Sequence, residues 1–223
     1  MFTWTFFLAA GFALLDWAST WKGWKKRLYV AKPATLFFLI LWSLTVTGWQ
    51  GEMKGYGAAL VFSLIGDIFL LLNPRYFLYG LGAFFFTHLF YIIALNAEPV
   101  QFEPLLFLPL LVVIVLTTII LHRLKPAIIK APKGKRLWHA CSIYALALAL
   151  MVLSAWLSFF RPTWSFPAIS YVSIGALFFL VSDFTLTYDR FVKKINHGQS
   201  LVHLTYHLGQ FLILTGAVTH FLA

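Results

Sequence analysis

The chain has 223 residues, 61% of them hydrophobic and only 11% charged, well below the quarter or so that charged residues contribute to a soluble domain. The net charge of +10 comes from 17 Lys and Arg against 7 Asp and Glu. The basic residues fall between apolar runs, which is the arrangement of loops at an anionic membrane face and argues against a nucleic-acid partner.

Apolar runs close to the ~20 residues a membrane helix needs predict an all-α, polytopic bundle of eight transmembrane helices, forming a single domain over residues 1–223. The first run, 3–20, has no basic stretch before it and no small-residue cleavage site after it. It reads as a retained helix, not a signal peptide. The second, 33–49, begins at Pro33, where a helix has no use for a backbone donor. The third, 55–73, is closed by Asn73-Pro74. The fourth covers 77–95. The fifth, 104–122, starts at Pro104 and contains Pro109, which should bend it. The sixth covers 137–158 and holds the single cysteine, Cys141, so no intramolecular disulfide or cysteine-based metal site is possible. The seventh, 167–188, starts at Pro167, and the eighth covers 200–221.

The loop charges give an orientation. Lys22, Lys25, Lys26, Arg27 and Lys32 follow the first run, Arg75 follows the third, and Arg123, Lys125, Lys130, Lys133, Lys135 and Arg136 follow the fifth. Arg190, Lys193 and Lys194 follow the seventh, and only Lys54 and Arg161 fall in the other gaps. This alternation predicts cytoplasmic odd-numbered gaps and non-cytoplasmic termini, in the inner membrane if the chain is bacterial. Gly66-Asp67 near the end of the third run and Ser182-Asp183 near the end of the seventh form an internal echo that two tandem four-helix halves would explain.

Ionisable groups inside a bilayer cost about 2.5–3.5 kcal/mol each on insertion scales, so they mark function. Asp67 and Asp183 lie at matching depth, and Asp16 lies nearer its helix end. Glu52, Glu98, Glu103 and Asp189 read as solvated. His203, Tyr206, His207 and Gln210, spaced by three, four and seven, share one face of the eighth helix, while His88 and Tyr91 lie on the fourth. Lys32 reads as a surface lysine able to meet a lipid phosphate. These groups gather at the cytoplasmic half among Phe and Leu, the character of a pocket for a long-chain lipid.

The motifs Gly66-Asp67-x-x-Leu70-Leu71, Phe77-x-x-Gly80-x-x-x-Phe84-x-x-x-His88-x-x-Tyr91, Gly175-Ala176-x-x-Phe179-x-x-Ser182-Asp183 and Tyr206-x-x-Gly209-Gln210, with Lys32-Pro33, resemble the YhhN-like, lysoplasmalogenase family. The resemblance runs over nearly the whole chain. It implies a lysophospholipid substrate among membrane lipids, whose vinyl ether bond is hydrolysed to a fatty aldehyde and glycerophosphoethanolamine or glycerophosphocholine. It also implies Asp67 and Asp183 as the catalytic pair. His88, Tyr91, His203, Tyr206, His207 and Gln210 would line the site, and Lys32 would meet the phosphate. Such chemistry needs a general acid and a second carboxylate, with no metal or other cofactor. Two other readings use the same residues. In one, His203 and His207 bind zinc with Asp183 or His88, as in a ceramidase-like membrane hydrolase. In the other, the chain is a lipid-binding protein or transporter with a proton relay.

Overall fold

The computed structural model describes all 223 residues as an all-helical bundle. The helices are α1 (Trp4–Lys22), α2 (Lys25–Thr47), α3 (Met53–Leu71), α4 (Phe77–Leu95), α5 (Phe107–Lys130), α6 (Gly134–Trp156), α7 (Phe166–Phe191) and α8 (Gly198–Phe221). Seven of them, α2 to α8, are long and apolar enough to cross a membrane, and the chain is an integral, multi-pass membrane protein. The eighth, α1, is long enough but less apolar. It buries Thr5, Ala9, Ala13, Asp16 and Ser19, so one side of it turns partly polar groups inward against α2 and α8.

The burial pattern is that of a protein solvated by lipid. Apolar side chains such as Leu108, Leu111, Ile114 and Ile119 point outward from α5, while Asp16, Lys32, Asp67, His88, His207 and Gln210 are buried. Only 6% of the α5 apolar stretch is buried, so this helix is the peripheral one. Without a hydrophobic force between helices in lipid, close packing relies on small residues. At the α7–α8 contact a Cβ on Gly175 would lie 2.7 Å from the backbone nitrogen of Ile213 and 2.9 Å from the Gly209 carbonyl. Glycine therefore sets how near these two backbones approach. At the α3–α4 contact a Cβ on Gly66 would meet the Phe84 ring at 2.6 Å, which fixes the wall beside Asp67.

Three expectations about chain punctuation are corrected. Pro33 does not begin a helix: α2 starts at Lys25, and Pro33 lies within it. Hydropathy marks only the lipid-embedded length, and the helix continues through Lys25, Lys26 and Arg27 into the interface. For the same reason α5 runs on to Lys130, with Pro126 inside it. Pro109 falls in the first turn of α5, where its missing donor has no intrahelical role to lose. Pro104 opens a 3-10 turn and Pro167 sits in the first turn of α7, both at helix starts.

Asp189, read as solvated, is buried, and so is the loop residue Arg161. Asp189 accepts from the Ile195 backbone at 2.8 Å and from Lys194 at 2.9 Å, tying down the α7–α8 turn. Arg161, at the opposite end of the bundle, donates to Asn96 at 2.7 Å and to the carbonyls of Glu98 and Ser154 at 3.1 and 3.3 Å. Burial pulls the Arg161 pKa down, with the nearby Tyr56 and Glu98 acting the other way. That guanidinium fastens the α4–α5 connection to the end of α6.

Candidate active site

The site is at the basic end of the bundle, where α2, α3, α4, α6, α7 and α8 surround a small cavity. Asp67 and Asp183 both line it, with Lys32, Tyr144, Ser182, Thr187 and Tyr206. The rest of its wall is apolar, including Leu70, Phe77, Leu81, Phe84 and Leu186. So apolar a wall strengthens every electrostatic contact within the site.

Asp67 is fully buried and held from two sides. Lys32 Nζ lies 3.0 Å from its Oδ1, and the Tyr206 hydroxyl donates to its Oδ2 at 2.9 Å. Lys32 also lies over the Tyr206 ring, 5.3 Å from its centroid. The placement of Lys32 at a helix start on the surface is therefore corrected. Because α2 extends two turns further out, Lys32 sits inside it, 4% exposed, pointing at a carboxylate.

Asp183 has different company. The Tyr144 hydroxyl donates to its Oδ2, and His88 Nε2 lies 3.6 Å from the same oxygen. His88 and Tyr144 are themselves hydrogen-bonded at 3.0 Å. His88, Tyr144 and Asp183 thus form a relay from α4 through α6 to α7. His88 stands behind the tyrosine and not on the cavity wall. No lysine or arginine forms an ion pair with Asp183. Sequence reasoning missed Tyr144. The usable signal was its depth, since it lies about as far inside the sixth run as Asp183 lies inside the seventh.

The polar stripe of α8 divides among three partners. Tyr206 meets Asp67 in the chamber. Gln210 accepts from the Tyr91 hydroxyl and donates to Ser63 at 2.8 Å, and Ser63 bonds Thr87 at 3.1 Å. Tyr91 and Gln210 form a buried brace between α4, α3 and α8, off the cavity wall. His203 turns to α1, where its Nδ1 is 2.8 Å from Asp16 Oδ2, and His207 Nδ1 is 3.6 Å from the same oxygen. Asp16 therefore belongs to a buried histidine pair at the edge of the site. The donors of the zinc reading are split between two clusters: His203 and His207 face Asp16, while His88 and Asp183 face Tyr144. No group of three or more His, Cys, Asp or Glu is arranged to hold a metal ion.

Two further spaces adjoin the chamber. On the basic side lies a vestibule lined by Lys25, Tyr29, Arg190, Gln199 and His203, and it shares Lys32, Leu70, Phe77, Leu186 and Val202 with the chamber. On the other side a narrow apolar groove runs between α5, α6 and α7, sharing Leu81, Tyr144, Asp183 and Thr187 with the chamber.

Residues 28–217 match the YhhN family. The "Uncharacterized membrane protein YhhN" of Escherichia coli O157:H7 is 30% identical over 216 residues, 95% of this chain and 97% of that protein. The lysoplasmalogenase TMEM86B of Sus scrofa is 29% identical over 209 residues, 93% of this chain and 82% of the relative. The lysoplasmalogenase TMEM86A of Homo sapiens is 30% identical over 162 residues, 71% of this chain and 63% of the relative. No solved structure matches. The family match spans the helices that carry Lys32, Asp67, Tyr144, Asp183 and Tyr206, and the chain belongs to the YhhN family.

Proposed function

We propose that the chain is a membrane hydrolase that opens the vinyl ether bond of lysoplasmalogens, releasing a fatty aldehyde and glycerophosphoethanolamine or glycerophosphocholine. The observation that carries this reading is the pair of carboxylates, Asp67 and Asp183, on the wall of one cavity inside the bundle. The relatives named lysoplasmalogenase supply the substrate class.

Vinyl ether hydrolysis begins with proton transfer to the β-carbon. The π electrons form the new C–H bond, and a lone pair on the ether oxygen completes an oxocarbenium ion. Water adds to the α-carbon and loses a proton, giving a hemiacetal. The hemiacetal hydroxyl then gives up its proton as its oxygen forms the C=O bond, the bond from that carbon to the glycerol oxygen breaks, that oxygen takes a proton, and the aldehyde remains. One water is consumed, and the proton spent in the first step is returned.

Two carboxylates can share this work, one as acid and one as the anion beside the cation. Their partners support a division of roles. Asp67, with Lys32 as counter-charge and Tyr206 as donor, is the anion that faces the oxocarbenium and receives the proton of water. Asp183, contacted by a phenol and an imidazole, is the acid. Tyr144 fixes which Asp183 oxygen is free to reach substrate, and His88 orients Tyr144. The basic end faces the cytoplasm, α1 crosses with the other helices, and both termini lie on the opposite face.

The test is aldehyde release by purified Asp67→Asn and Asp183→Asn proteins. Each substitution removes one acid–base participant and is expected to lower kcat by about 10²-fold or more. Wild-type rates from both folded variants would sink the proposal.

A further inference from the structure

The groove between α5, α6 and α7 has no part in the chemistry above. Of its 14 lining residues, 11 are hydrophobic, and Tyr144, Asp183 and Thr187 sit where it meets the chamber. It does not end at Leu148. A second apolar space, lined by Val113, Leu116, Thr117, Ile120, Ala149, Val152 and Leu180, shares Thr117, Ile120 and Leu180 with it and adjoins it along α5 and α6, on the side away from the basic end. Small side chains, Ala145 and Ala149 on α6 and Thr117 on α5, lie among its lining.

The length is informative. From Leu124 to Val113 along α5, or from Cys141 to Val152 along α6, the two adjoining spaces together extend about 16 Å at the helical rise. That is roughly half of the ~30 Å hydrocarbon core, the depth that one leaflet's lipid chain occupies. At the opposite mouth of the chamber the vestibule carries Lys25 and Arg190. Cations at one end and an apolar groove at the other suit an amphiphile with an anionic head and a single hydrocarbon chain.

We propose that this groove is the hydrocarbon-chain site of the enzyme, that it sets chain-length preference at its Val113–Ala149 end, and that the substrate lies with its phosphate in the vestibule. The inference rests on the hydrolase reading for its substrate class. It adds a direction to it. Along such a lipid the order is phosphate, glycerol, ether oxygen, α-carbon, β-carbon, chain. Asp67, paired with the Lys32 shared with the vestibule, then meets the α-carbon, where water adds. Asp183, at the junction with the groove, meets the β-carbon, which takes the proton. The same division of roles follows from the hydrogen-bond partners, which are an independent observation.

The test uses a saturated ether lysophospholipid with a photoreactive diazirine at the far end of an 18-carbon chain, bound to the wild-type protein in detergent micelles and irradiated. Cross-links are expected on the α5 and α6 residues around Val113, Thr117, Ala149 and Val152, and an excess of unlabelled ether lysolipid should suppress them. Cross-links confined to the outward faces of the bundle, or not suppressed by competitor, would overturn the proposal. This probe cannot be hydrolysed, so a positive map stands even if no aldehyde is ever made from a vinyl ether. Conversely, aldehyde formation with a negative map sinks only the groove. The second arm is kinetic. Ala149→Phe and, separately, Thr117→Phe should each lower the ratio of kcat/KM for an 18-carbon over an 8-carbon lysoplasmalogen by tenfold or more. Ile119→Phe, on the outward face of α5, should leave that ratio as it is. An unchanged ratio in both groove variants would refute the chain-length role.

Discussion

Replacing Lys32 by methionine separates a catalytic ion pair from a merely structural one. The Lys32 and Asp67 side chains are 5% and 0% exposed, and their charged atoms are 3.0 Å apart. Methionine keeps most of the lysine stem's volume and removes the charge, leaving the Asp67 carboxylate buried with Tyr206 as its remaining donor. Breaking one side of a buried pair costs about 3–5 kcal/mol, which for a chain of this size is a fall in Tm of about 6–20 °C. Loss of one preorganised partner of a catalytic charge lowers kcat by about 10²–10³-fold. The informative comparison is the double variant Lys32→Met, Asp67→Asn. Removing both charges should recover most of the lost Tm, because a neutral amide under the Tyr206 hydroxyl needs no counter-ion, yet it should recover no aldehyde release. The assay pairs thermal unfolding in detergent with aldehyde release from lysoplasmalogen. A Lys32→Met protein with wild-type turnover, or a double variant no more stable than the single one, would refute the reasoning.

Other substitutions test separate parts of the account. Tyr144→Phe removes the hydroxyl that joins His88 to Asp183; the expected cost is about 1 kcal/mol in stability, with a fall in kcat of tenfold or more and little change in KM, read from steady-state aldehyde release. Arg161→Met strips three hydrogen bonds from the far end of the bundle; about 2–4 kcal/mol of stability should go, while kcat of the folded fraction stays near wild type. Gly175→Val forces a side chain against the α8 backbone, and its outcome should be loss of folded, extractable protein, scored by size-exclusion chromatography. For orientation, Cys141 is buried, so cysteines introduced at Lys193 and Lys54 can be probed in intact cells with a membrane-impermeant maleimide: Lys54→Cys should label and Lys193→Cys should not.

The eight helices were legible because lipid imposes simple rules, namely a minimum apolar length and charge at the ends. What those rules describe is the embedded stretch, so the ends of α2 and α5 were misread where the helices continue through Lys25–Arg27 and Arg123–Lys130. The error mattered at Lys32: a surface lysine became a buried one once α2 was extended. Asp67 and Asp183 could be singled out because an intramembrane carboxylate is expensive and so rarely accidental. Their partners could not be. Tyr144 resembles any interfacial tyrosine, and Asp189 and Arg161 resemble loop charges until distant segments fold over them. Helical spacing grouped His203, Tyr206, His207 and Gln210 correctly on one side of α8. That side is wide enough to face α1, α3 and α4 at once, and spacing alone does not say which residue meets which helix.

The most direct test of the carboxylate mechanism is to turn over lysoplasmalogen in D₂O, quench rapidly and analyse the products by mass spectrometry, beside the saturated ether analogue and the lyso-ester. The account predicts aldehyde from the vinyl ether alone, with a single deuterium on the carbon next to the carbonyl, the former β-carbon, and with solvent oxygen in the aldehyde when H₂¹⁸O is present. Solvent oxygen in the glycerol hydroxyl, or fatty acid from the lyso-ester with no aldehyde from the vinyl ether, would contradict it.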